Sequence, residues 1–231
     1  GVNLIVNKSN LKMMQQLKTC VELKVDFIIT SLGNPEQVIE LCKPNGIKVF
    51  CDVVEDNYAK KVEKSGADAL IAVNKHAGGH AGIFDSKELI RRIQEVCSIP
   101  IIAAGGVGTR IEIKEKINQG YSGLSIGSPF IACEEAEIST EYKQACVDYG
   151  KKDIVLTTKI SGTPCTVINT TYVQKKGTKQ NFLEKLISKN KKLKKWIKMI
   201  IYLKGMNSIE KAAFSNTYKT VWCAGPSIEH T

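Results

Sequence analysis

Short apolar runs alternate with longer amphipathic ones over the first 130 residues of the chain. The runs that read as strands begin near Val2, Asp26, Ile47, Asp68, Pro100 and Ser122, so successive starts lie about 24, 21, 21, 32 and 22 residues apart. That spacing fits one β-strand and one crossover helix per unit. Phe27-Ile28-Ile29, Ile47-Lys48-Val49-Phe50 and Ile99-Pro100-Ile101-Ile102-Ala103 are mostly apolar on both faces, as a buried parallel sheet requires. Between strands, Lys87 to Val96 carries helical periodicity, with Leu89, Ile93 and Val96 on one face.

Six such units predict an α/β fold of the TIM-type (β/α)8 barrel family, with about six βα units present. The competing architecture is a doubly wound parallel sheet, but that fold carries its glycine-rich fingerprint after the first strand. Here the glycine-rich elements come late. The chain opens abruptly on an apolar strand with no initiator Met, which reads as two units lost upstream; the strands present would then be the third to the eighth. After about Ser139 the alternation stops. A helix is expected over Thr140–Tyr149 and a strand over Ile154–Thr158, followed by a turn at Ser161-Gly162-Thr163-Pro164 and a lysine-rich helical stretch. The predicted division is a cofactor-binding barrel portion over residues 1–138 and a mainly helical lid or substrate region over 139–231.

With 231 residues, 43% of them hydrophobic, the chain can bury one sizeable domain. No run approaches 18 apolar residues and the N-terminus lacks the pattern of a signal peptide. Eight cysteines without a Cys-x-x-Cys pair point to a reduced, cytoplasmic protein with no zinc or iron–sulfur site. The net charge of +10 is local, because residues 175–204 hold eleven lysines and a single acid, Glu184. A nucleic-acid partner is therefore not expected. In that segment Leu193, Trp196, Ile197 and Ile200 follow helical spacing, which reads as an amphipathic lid helix with solvated lysines.

The 32-residue unit owes its extra length to the loop 74–83, Asn-Lys-His-Ala-Gly-Gly-His-Ala-Gly-Ile. Loops at the C-terminal ends of barrel strands carry the chemistry. His80, flanked by glycines at such a position, is the candidate catalytic residue, since imidazole titrates near neutral pH. His76 reads as a packing or hydrogen-bonding residue. The two histidines are not read as a metal site, because the intervening Ala-Gly-Gly breaks a helix and the loop has no carboxylate. Two more glycine turns follow strands, Gly105-Gly106-Val107-Gly108-Thr109 and Gly127-Ser128-Pro129. Gly105, Gly106 and Gly127 would let backbone amides approach a phosphate, with a helix N-terminus beside them and a hydroxyl from Thr109 or Ser128.

Taken in order, Gly1-Val2-Asn3-Leu4, Ala77-Gly78-Gly79-His80-Ala81-Gly82, Ile102-Ala103-Ala104-Gly105-Gly106-Val107 and Ile126-Gly127-Ser128-Pro129-Phe130 resemble the nitronate monooxygenases, also called 2-nitropropane dioxygenases. The resemblance implies FMN as cofactor and oxidation of an alkyl nitronate by molecular oxygen without a nicotinamide. It further implies that Asn3 and the Gly78-Gly79 backbone lie near the flavin, that Gly105, Gly106, Gly127 and Ser128 cradle its phosphate, and that His80 acts as base or orients the anionic nitronate. A homodimer is compatible with it. The sequence departs from the family pattern in placing His76 where a Glu often precedes Ala-Gly-Gly-His, and in Cys51-Asp52. The competing enzyme reading is an FMN-dependent enoyl-thioester reductase using NAD(P)H, and the non-enzymatic one is a non-catalytic fragment.

Overall fold

The computed structural model describes residues 1–7, 10–159, 163–179 and 221–231. Most of the lysine-rich segment expected to form a lid helix lies outside the described residues. Those described residues form two compact units. The first comprises Gly1–Lys75, Ile83–Ala104 and Lys114–Ser125. The second comprises His76–Gly82, Gly105–Ile113 and Ile126–Thr231.

In chain order the elements are β1 (Val2–Ile5), α1 (Met13–Glu22), β2 (Phe27–Ser31), α2 (Glu36–Cys42), β3 (Lys48–Val53), α3 (Asp56–Lys64), β4 (Ala69–Val73), β5 (Gly79–His80), α4 (Ser86–Gln94), β6 (Ile101–Ala104), α5 (Arg110–Asn118) and β7 (Gly123–Ser125). They continue with α6 (Thr140–Asp148), β8 (Ile154–Thr157), β9 (Cys165–Ile168) and α7 (Thr171–Lys176). Each strand of the main sheet starts within one residue of its expected position.

The main sheet is parallel throughout, in the order β1-β2-β3-β4-β6-β7. Neighbours in space are neighbours in sequence, with no reversal of direction. A doubly wound fold must reverse at its switch point, so this order is that of a TIM-barrel-type α/β fold. Every residue of β4 is buried, as its uninterrupted apolar run requires. The core joins strand residues Leu4, Ile28, Val49 and Leu70 to helix residues Leu17, Val38, Val62, Leu89 and Ile93. The α4 helix ends at Gln94, earlier than the periodicity suggested, and Val96 instead donates its amide to the Ile93 carbonyl in the closing turn.

Polar groups register the outer layer. Arg92 on α4 donates from Nε and Nη2 to Asp56 Oδ1 on α3, at 3.2 and 2.9 Å. Asp68 accepts the Val49 amide at 2.8 Å, setting the entry to β4 against β3.

The second unit is built on a small antiparallel sheet, β5-β9-β8. Its core holds Ala145, Cys146, Ile168, Trp222, Ala224 and Ile228. Tyr142 on α6 stacks on Trp222 with ring centroids 5.8 Å apart, and its hydroxyl donates to the Cys223 carbonyl. All eight cysteines are reduced. Among the described residues no helix is long and apolar enough to cross a membrane.

Candidate functional site

The loop after β4 is held by β9. Gly79 and His80 pair antiparallel with Thr166 and Cys165, and the Ala81 amide donates to the Pro164 carbonyl at 3.1 Å. The Thr166 hydroxyl contacts the carbonyl oxygens of Ala77 and Gly79, the latter at 3.3 Å. Gly79 has φ +77°, a left-handed conformation that side chains disfavour. A loop that appears unrestrained in the sequence is thus a short strand with fixed register.

Three distant segments meet at a junction where only glycine fits. A Cβ on Gly78 would lie 2.8 Å from both the Gly225 nitrogen and Ser128 Oγ. One on Gly225 would lie 2.6 Å from the His76 carbonyl oxygen. The Gly225 amide donates to Ser128 Oγ at 2.9 Å. The structure therefore brings Gly78, Gly79, His80 and Ser128 together, all within the second unit. Gly106, at φ +70°, belongs there too, since a Cβ on it would sit 3.2 Å from His76 Cβ. Gly105 is also in the left-handed region, at φ +107°. A Cβ on Gly127, by contrast, would meet nothing within 4 Å. The Gly127 backbone is exposed, and the space beside it is compatible with an anionic group held by a glycine turn.

Burial lowers the His80 pKa from its ordinary 6.5. The imidazole is therefore neutral at pH 7, with one N–H to donate and one ring nitrogen to accept. A protonated imidazole, the form that would balance negative charge, is disfavoured by that burial.

The expected hydroxyl of Thr109 is committed elsewhere. Its Oγ1 donates to Glu112 Oε2 at 3.0 Å, and the same oxygen accepts the amides of Gly108 and Thr109 at 2.9 and 3.0 Å. Burial would raise the Glu112 carboxyl, but these hydrogen bonds outweigh it and hold it below 4.5. An internal carboxylate thus already occupies the N-terminus of α5. The spacing Thr109-x-x-Glu112 is a capping box legible in the sequence, and it was the signal that would have identified Glu112.

Asn3 lies in the first unit. Ser31 Oγ is 3.0 Å from Asn3 Oδ1 and 2.5 Å from Asp52 Oδ2. A hydroxyl has one proton, and the shorter contact, to a carboxylate, takes it. Burial raises the Asp52 carboxyl above 3.8, partly offset by the Ser31 hydroxyl. Nothing in the sequence signalled Ser31, and Thr166 and Gly225 were likewise not among the expected site residues.

The nitronate monooxygenase family model matches residues 2–228. A nitronate monooxygenase of Paraburkholderia phytofirmans is 30% identical over 156 residues, which cover 63% of this chain and 43% of that relative. The chain thus spans just under half the length of that curated relative. The structure of FabK from Thermotoga maritima superposes with a TM-score of 0.80 at 27% identity, covering 99% of this chain and 69% of FabK. Nitroalkane oxidase from Streptomyces ansochromogenes shares the fold, with a TM-score of 0.70 at 21% identity over 94% of this chain and 62% of that one. With the Gly-Gly-His loop, both glycine turns and the sequential parallel sheet all inside the matched residues, the chain belongs to the nitronate monooxygenase family.

Proposed function

We propose that this chain contributes the phosphate-binding turns and the acid–base group of an FMN-dependent oxidoreductase acting on alkyl nitronates with molecular oxygen. The observation that carries the reading is the glycine junction beside His80, where Gly78, Ser128 and Gly225 approach so closely that no side chain fits. Gly105, Gly106, Gly127 and Ser128 would hold the FMN phosphate. Gly105 and Gly106 have positive φ, and a Cβ on Gly127 would meet nothing within 4 Å, which is the backbone geometry that glycine turns use to approach an anion. FMN, when bound, supplies the redox chemistry.

His80 would position the substrate. A nitronate is a delocalised anion with two oxygens on nitrogen, and the neutral imidazole can donate its N–H to one of them. Its other nitrogen can take a proton from the carbon of a neutral nitroalkane. Thr166 supports this role by holding the carbonyls on either side of Gly78.

The test is oxygen uptake by the FMN-loaded protein given a small alkyl nitronate and no NAD(P)H. Rapid uptake is expected. Absence of uptake with flavin bound, together with NAD(P)H consumption on an enoyl thioester, would replace this reading with an enoyl-thioester reductase.

A further inference from the structure

Cys165 and Cys223 lie 58 residues apart in the chain, yet their sulfurs are 3.7 Å apart. The pairing that brings them together is local to β9. Val167 bridges Cys223 in antiparallel fashion, and the Ile168 amide donates to the Trp222 carbonyl at 2.9 Å. Cys165 is 1% exposed, whereas Cys223 is only partly buried. The pair adjoins the Gly-Gly-His loop. Cys165 is the ladder partner of His80, and a Cβ on Gly79 would lie 3.9 Å from Cys223 Cβ.

We propose that Cys165 and Cys223 form a peroxide-responsive dithiol, in which Cys223 is oxidised first and Cys165 resolves it to a disulfide. The oxidant is hydrogen peroxide. The Cys223 thiolate attacks one peroxide oxygen, the O–O bond breaks and hydroxide leaves, giving the sulfenic acid. The Cys165 sulfur then attacks the Cys223 sulfur and displaces the sulfenic hydroxyl, which leaves as water with the Cys165 proton. Two thiols and one peroxide thus give one disulfide and two waters.

The geometry suits this order. A disulfide needs an S–S distance of about 2.05 Å, so the sulfurs must close by about 1.7 Å, within reach of small side-chain rotations. The Cys165 thiol hydrogen-bonded to Cys223 pulls the Cys223 pKa below its ordinary 9.0, against burial. The same contact, reinforced by burial, pushes Cys165 well above that value. The group that reacts first is then the better thiolate, and the resolving thiol keeps the proton that the second step releases. Closure would join β9 to the segment that carries Gly225. Formation of the bond does not rest on the FMN reading above.

The test is peptide mapping by mass spectrometry under non-reducing conditions after brief treatment of the protein with near-stoichiometric hydrogen peroxide. A Cys165–Cys223 cross-linked peptide is expected, removed by dithiothreitol. Cys165→Ser should accumulate a Cys223 sulfenic acid that a 1,3-diketone traps, while Cys223→Ser should leave Cys165 reduced. The proposal is overturned if Cys223 proceeds to sulfinic acid in the unsubstituted protein while Cys165 stays a thiol. It is equally overturned if both stay reduced while the half-buried Cys97 and Cys133 react. None of these readouts needs bound flavin or turnover, so they separate this proposal from the nitronate assignment.

Discussion

Glu112 and Thr109 cap one another at the start of α5. The carboxylate accepts the Thr109 amide and hydroxyl, each at 3.0 Å, and the Glu112 amide donates to Thr109 Oγ1 at 3.3 Å. The positive end of the helix therefore already faces an anion of the chain's own. A phosphate at this corner must be held by the glycine turns and not by the helix end.

Removing the cap should cost stability. Glu112→Ala is expected to lower the unfolding free energy by about 1 kcal/mol at pH 7. Because the folded carboxyl titrates below 4.5, the contribution is present above about pH 4.5 and is lost as pH falls through the lower folded value. Urea unfolding of the variant and the parent at pH 7 and below pH 4 checks both the size and its disappearance. An undiminished gap in acid would show that the carboxylate's charge is not what stabilises the turn.

The glycines separate folding from binding. Gly78→Ala forces a Cβ to within 2.8 Å of the Gly225 backbone and should destabilise the protein by about 1–3 kcal/mol. Gly127→Ala meets open space, so its unfolding free energy should change by less than about 0.5 kcal/mol. If the FMN phosphate sits at Gly127, this quiet substitution nonetheless weakens flavin binding several-fold, which fluorescence titration with FMN measures. Unchanged affinity would remove Gly127 from the phosphate cradle.

His80→Gln keeps a hydrogen-bonding side chain but removes the titrating group. With flavin retained, turnover of a neutral nitroalkane should fall roughly 10²–10⁴-fold if His80 is the base. In the unsubstituted enzyme the acid limb of the kcat/KM profile should lie below pH 6.5, because burial depresses the imidazole pKa. The same depression disfavours protonation in the folded state, so this group makes stability rise with pH between its folded value and 6.5, and contributes nothing above. An acid limb above 6.5 would point to a different group.

Asp52 has the opposite sign. Burial raises its carboxyl above 3.8, so its ionised form costs stability as pH rises through and beyond that value. Asp52→Asn preserves an acceptor for the Ser31 hydroxyl and removes the charge. The variant should be more stable than the parent by about 1 kcal/mol at pH 7 and indistinguishable from it below about pH 3.8. Thermal unfolding across that range decides it. A less stable variant at pH 7 would mean that the charge has a partner stronger than Ser31.

Much of the candidate site was legible as residue types but not as an arrangement. Gly78, Gly79, His80, Gly105, Gly106, Gly127 and Ser128 stand out because glycine runs after apolar strands have few other uses. Their partners do not stand out. Thr166 is one threonine in an apolar strand, and Gly225 lies 147 positions beyond the Gly78 that its backbone touches. Of the two hydroxyls expected at the glycine turns, that of Thr109 donates to a carboxylate three residues away, a local capping contact that the candidate-site reading did not consider.

By itself the sequence determined the order and spacing of six parallel strands and their helices, since apolar periodicity and chain length leave a βα unit little freedom. Only the tertiary structure decided that His80 is the ladder partner of Cys165, that Cys165 faces Cys223, and that Asn3, Ser31 and Asp52 share a polar cluster. Those relationships depend on β-register and on close packing between segments far apart in the chain. A one-residue slip would turn each side chain to the opposite face without altering the hydrophobic pattern that identifies the strand.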